Sequence, residues 1–235
     1  MKTYLLIQIA FVALTISSVS WFLKEIFTGI SLSSFVAERK RSLKIRILAG
    51  LVIWLVIVSG LSISGFVQDF SSFPPRMMVV LVVPLLVILI ITFSKSVGEI
   101  VKHIPIENLV RIQVFRVFVE VLLWGLFIEN LLPVQMTFEG RNFDVLSGIL
   151  GLIAALTVAQ NRALMILYNV IGLGLLLNIL VIAVLSMPTP LRFFMNEPAN
   201  TIVANFPIVF LPAFLVPLAY TLHFFSLKHL LAKRE

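Results

Sequence analysis

Two charged side chains fall where charge is costly. Arg116 and Glu120 lie inside an apolar run at 109–132. A charge at the centre of a bilayer costs about 2.5–3.5 kcal/mol on insertion scales, so such residues persist by pairing or by facing a polar interior. Their i, i+4 spacing puts them on one helix face, and an Arg116–Glu120 ion pair is expected. At about 100° per residue, Gln113, Trp124 and Phe127 continue the same stripe, which should face the interior of a helix bundle. Arg111 and Glu129 project from the other side, near the two ends of the run, where each reaches an interface.

Partners follow from matching depth. Tyr168, Asn169, Asn178, Tyr220 and His223 lie in the last two apolar runs. Asn178 falls level with Glu120, and Tyr220 and His223 level with Gln113 and Arg116. The expected polar centre is therefore Gln113, Arg116, Glu120, Asn178, Tyr220 and His223. Such a centre either locks helices together or forms a substrate or proton site. In an enzyme, Glu120 or His223 would supply the acid or base.

A second polar concentration lies at 133–144, just after Glu129 and Asn130. It contains Glu139, Arg141, Asn142 and Asp144, with Gly140 suited to a turn of positive φ and Asp144 to capping the next helix. The segment 188–205 carries Arg192, Asn196, Glu197, Asn200 and Asn205. Together, Glu129, Glu139, Arg141, Asn142, Asp144, Arg192 and Glu197 are the candidate lining of an outer vestibule; the alternative is a structured turn held by its own ion pairs.

These residues must be carried by membrane helices. Seven apolar runs, at 4–23, 47–67, 77–94, 109–132, 145–159, 163–187 and 204–227, are each long enough or nearly so to cross a bilayer. A helix rises about 1.5 Å per residue, so about 20 apolar residues cover a hydrocarbon core of roughly 30 Å. The run at 145–159 is short and suits a thinned region. The segment 26–36 either extends the first span or lies at the interface. Pro207, Pro212 and Pro217 interrupt the last run, so that helix should be irregular and its freed carbonyls must find partners inside the protein. The expected fold is all-α: one transmembrane bundle over 1–235.

Basic residues orient it. Lys24, Arg39, Lys40, Arg41, Lys44 and Arg46 fill the first gap, and alternate gaps give twelve basic residues on one side against four on the other. The positive-inside rule then places the N-terminus outside and the C-terminus inside. Cleavage of the first run after Ser18-Val19-Ser20 would put the six-charge gap on the wrong face, so it is read as a retained span.

Composition agrees. The chain is 60% hydrophobic and 12% charged, against about 25% charged in a soluble domain. Its net charge of +7 sits beside membrane spans, which points to membrane lipids as partners and away from nucleic acid. The absence of cysteine excludes disulfides, thiolate metal sites and cysteine nucleophiles. No cofactor or metal is expected. Of three histidines, only His223 lies at membrane depth, too few for a bis-histidine haem, and the last span holds no lysine for a retinal Schiff base.

Gln113, Arg116 and Glu120, followed by Met-Thr-Phe-Glu-Gly-Arg-Asn-Phe-Asp at 136–144, resemble a group of uncharacterised bacterial multi-spanning inner-membrane proteins. The resemblance extends through Glu197-Pro198-Ala199-Asn200 and the proline-rich last run, roughly the C-terminal half. It implies a location in the cytoplasmic membrane and no particular activity. The leading expectation is binding or translocation of a small molecule, ion or lipid through the polar centre. The alternatives are a membrane-embedded enzyme acting on a lipid-soluble substrate and a structural or accessory subunit.

Overall fold

The computed structural model describes residues 2–232, so Met1 lies outside the described residues, as do Lys233 and Arg234, two of the twelve basic residues of the charge reading. Among the described residues there are helices and no strand. They are α1 (Lys2–Leu32), α2 (Ala37–Ile63), α3 (Met77–Thr92), α4 (Lys95–Val101), α5 (Ile106–Arg111), α6 (Phe115–Ile128), α7 (Asp144–Thr157), α8 (Arg162–Leu185) and α9 (Val216–Leu231).

Four helical segments are long and apolar enough to cross a membrane: α1, α2, α8 and Leu211–Leu231, which ends in α9. The count becomes five if α3 and α4, bent by 81° to one another, form one broken span. The expected number was seven, and the difference has local causes. The run at 109–132 is divided into α5, a 3₁₀ turn over Ile112–Val114, and α6. The run at 145–159 is α7, whose 14 residues rise only about 21 Å. In the first gap, 26–36 extends α1 as far as Leu32.

The last run is irregular, as its prolines require. It opens with a 3₁₀ turn over Ile202–Ala204 and passes through a π-helix, Leu211–Leu215, before α9 begins. Pro217 cannot donate to the Ala213 carbonyl one turn earlier. The indole Nε1 of Trp54 on α2 donates to it instead, at 2.9 Å. Ser62 Oγ likewise donates to the Ala204 carbonyl at 2.7 Å. These two bonds tie α2, otherwise exposed along most of its length, to the core around the last segment.

α7 packs antiparallel against the α5–α6 run, glycine face first. A Cβ on Gly148 would lie 2.8 Å from Val117 Cγ2, and one on Gly151 would lie 3.3 Å from the Val110 carbonyl oxygen. Small residues let helices approach this closely. Asp144, at the first turn of α7, reaches Arg116, while Ala154 and Ala155 share a core cluster with Ile106 and Val110. α7 thus covers α5 and the start of α6. The remainder of α6 is covered by α1 and by the segment 129–143, which holds one 3₁₀ turn at Val134–Met136 and buries Leu132, Gln135, Met136 and Thr137. Gly140 is required there by proximity, with no positive φ: its Cβ would fall 2.2 Å from the Val134 carbonyl oxygen.

Candidate functional site

Arg116 and Glu120 are buried, at 2% and 1% exposure, but they do not pair with each other. Arg116 pairs with Asp144: Nε donates to Oδ2 at 2.7 Å and Nη2 to Oδ1, a bidentate contact. Nη1 donates to Ser147 Oγ at 2.5 Å and to His223 Nε2 at 2.9 Å. Nη2 also donates to the Gly172 carbonyl at 3.4 Å. A guanidinium has five N–H donors. All five are used, by α7, α8 and α9 together.

This arrangement fixes His223. Arginine can only donate, so Nε2 accepts and Nδ1 carries the proton. Nδ1 then donates to Asn169 Oδ1 at 2.9 Å. Asn169 Nδ2 in turn donates to the Met165 carbonyl and to Ser226 Oγ, at 2.7 and 2.8 Å. Both ring nitrogens of His223 are therefore engaged by side chains of the protein.

Glu120 has a different partner. Its Oε1 accepts from Asn142 Nδ2 at 2.6 Å, and Asn142 also donates to the Met136 carbonyl at 3.0 Å. Asn142 Oδ1 accepts from the Asp144 backbone N–H, the first of α7, and the Asp144 carboxylate is left for Arg116. The second oxygen, Oε2, is buried with no hydrogen-bond partner. Glu120 lines a cavity of about 60 Å³ together with Arg116, Asp144 and Asn200, with a wall otherwise mostly Leu, Ile, Val and Met. Asn200 Nδ2 donates to the Ala183 carbonyl at 3.0 Å, while Oδ1 has no partner.

The sequence-predicted residues thus divide. Gln113, Arg116, Glu120 and His223 are buried on the inner faces of their helices. Gln113 lies apart from the charged network: Nε2 donates to the Ala219 carbonyl at 3.1 Å, and Oε1 is unpartnered. Asn178 is exposed and donates to the Arg141 carbonyl at 2.9 Å, which removes it from the centre. Tyr220 is half-buried against Phe224, and no hydrogen bond joins it to the cluster among the described residues. The stripe does not stay inside either: Trp124 is exposed, and its Nε1 donates to Glu139 Oε1 at 2.6 Å.

The vestibule set divides too. Asn142 and Asp144 belong to the buried centre. Glu139, Arg141 and Glu197 are exposed, whereas Glu129 and Arg192 are half-buried. Arg141 lies 5.3 Å over the Phe194 ring. Arg192 and Glu197 form an ion pair at 2.9 Å, and this bond, with the Ala199 backbone N–H, holds the Glu197 carboxyl below the usual range. Sequence reasoning missed Ser147, Asn169, Gly172 and Asn200 as members of the centre. Asn200 stood in a quoted segment with no signal of burial.

A family model described as a domain of unknown function, DUF8737, matches residues 72–231, more than half of the chain. The chain belongs to the DUF8737 family. The DUF8737 segment begins ahead of α3 and ends with α9, so it contains every residue of the buried centre and of the cavity wall named above. α1 and α2 precede it. No curated protein matches the chain, and no solved structure does.

Proposed function

We propose that this DUF8737 protein is a multi-pass protein of a bacterial cytoplasmic membrane that binds a small molecule, ion or lipid in the cavity beside Glu120 and passes it through the bundle. One observation carries the reading. Glu120 lines a cavity of about 60 Å³ between the helices and keeps one buried carboxylate oxygen without a protein partner. A buried acceptor left unpaired costs about 1–3 kcal/mol, and more when charged, so a protein that keeps one in a cavity gains something from it. The irregular segments on either side support the same reading. Met136 and Asn200 reach the cavity from 129–143 and from the chain between α8 and the π-helix. Irregular backbone at membrane depth is tolerated where protein or an aqueous cavity surrounds it, and discontinuous helices commonly form transporter sites.

The proposed topology has seven passes, the N-terminus outside and the C-terminus inside. α7 makes a short pass, because 129–143 folds inward before it starts. The basic residues toward the end of α1 and in the first turns of α2 support this orientation. Single cysteines test it cleanly in a chain that has none. Arg141 and Arg41 are both exposed. An impermeant thiol reagent applied from outside should label Arg141→Cys and spare Arg41→Cys; the reverse pattern would invert the topology.

Function is tested in a deletion strain challenged with varied ions, amines, lipids and toxic compounds. Glu120→Gln keeps an oxygen for Asn142 and puts an uncharged amide N–H₂ in place of the unpartnered carboxylate oxygen. At normal membrane abundance it should fail to restore the wild-type phenotype. Full restoration would assign Glu120 to scaffolding.

A further inference from the structure

We infer that the cavity beside Glu120 takes a small protonated amine, an ammonium head on an apolar body; this rests on the reading of the cavity as a solute site. The unpartnered polar atoms of the residues that line it determine the chemistry. Glu120 Oε2 and Asn200 Oδ1 are both acceptors, both buried and both without a partner. Arg116 and Asp144 border the same space, but they are joined to each other, and the guanidinium has no donor left. An anionic ligand would have to break an existing Arg116 bond to be held. His223 is occupied on both nitrogens. The open demand is therefore for donors.

Charge leads the same way. Arg116 and Asp144 cancel, so an ionised Glu120 leaves one negative charge without a counter-ion in a wall of apolar side chains. A buried charge needs a paired charge and hydrogen bonds. An ammonium supplies both, with three N–H donors for Glu120 Oε2, Asn200 Oδ1 and an accompanying water. A hard divalent cation such as calcium takes about 6–8 oxygen ligands, which this wall does not offer. Among the described residues no group of three or more His, Asp or Glu converges to hold a metal. The cavity of about 60 Å³ has room for a few water-sized groups, and its remaining surface, exemplified by Leu176, Val203 and Leu215, suits an alkyl substituent.

Isothermal titration of the full chain in lipid nanodiscs at neutral pH tests this with three probes: isobutylammonium chloride, its near-isostere isobutanol, and sodium chloride. Isobutylammonium should bind saturably while the other two do not, and Glu120→Gln should weaken its binding at least about tenfold, the loss of one charge-assisted hydrogen bond. The comparison of probes on the wild-type protein stands even if the variant folds poorly. Isobutanol binding as tight as the amine, or amine binding unchanged in Glu120→Gln, would overturn the amine assignment. So would the absence of isobutylammonium binding. The solute reading falls separately, if Glu120→Gln also restores the deletion phenotype.

Discussion

Asp144 holds Arg116 from the first turn of α7, 28 residues along the chain, and both of its carboxylate oxygens accept from the guanidinium. The pair joins the two arms of a hairpin whose connection folds back into the bundle. It gives α7 a fixed starting point beside α6, and it positions Asn142, two residues earlier, against Glu120.

The pair should therefore behave as one unit. Removing one member of a buried pair strands the other and costs about 3–5 kcal/mol, whereas replacing both with apolar residues is often close to neutral. Arg116→Met and Asp144→Leu should each lower thermal stability in detergent by more than the double variant does. Strictly additive losses in that cycle would show that the two side chains do not interact.

Gly172 sets the packing behind the pair. A Cβ there would lie 2.3 Å from His223 Cε1, 2.6 Å from Nε2 and 2.9 Å from Ser147 Oγ. The imidazole is held on both nitrogens and cannot yield without losing a bond. Gly172→Ala should cost about 1–3 kcal/mol or more. Gly174, two residues on, has open space around its Cβ position. Gly174→Ala should be neutral or stabilising by about 0.5–1 kcal/mol, from helix propensity alone. Melting temperatures of the two variants, measured side by side, check the contrast.

Much of this was legible in the sequence, and the failures have physical reasons. Burial of Arg116, Glu120 and His223 followed from charge at membrane depth. Their pairing did not. An i, i+4 spacing on a helix permits a bond, but Asp144 from α7 offers two aligned oxygens to the planar guanidinium fork. Asn142 and Asp144 read as surface chemistry because they stood between two apolar runs. Only the inward fold of 129–143 brings them to the core, and hydropathy carries no trace of it. Asn178 was placed by depth alone, which says nothing of the angle around the helix. Pro217 was more informative: its missing donor implied a partner for the freed carbonyl, and Trp54 is that partner.

A surface contact carries the pH dependence. Glu99 on α4 accepts from the Ser34 backbone N–H and hydroxyl, both at 2.9 Å, and pairs with Lys102 at 2.5 Å. Lys102 first, then the Ser34 bonds, pull its carboxyl down from an ordinary 4.5 to about 2. A depressed folded-state value means stability that is present above the ordinary value and lost as pH falls through the folded one. The stability difference between wild type and Glu99→Gln should therefore be greatest above pH 4.5 and vanish as pH approaches about 2. Melting curves across that window check it; a constant difference would mean that the carboxylate charge is irrelevant to the contact.

The central claim is that the cavity beside Glu120 is kept open for a ligand. Filling it separates a site from a packing defect. Ala219 lines the cavity and is buried. Ala219→Leu occupies the space with hydrocarbon, replaces none of the charged residues, and leaves the carbonyl that accepts from Gln113 in place. The decisive measurement is complementation of the deletion strain by Ala219→Leu, at verified membrane abundance and melting temperature. The account predicts a folded protein, as stable as wild type or more so, that fails to complement. Full complementation by an equally abundant, stable Ala219→Leu protein would contradict it.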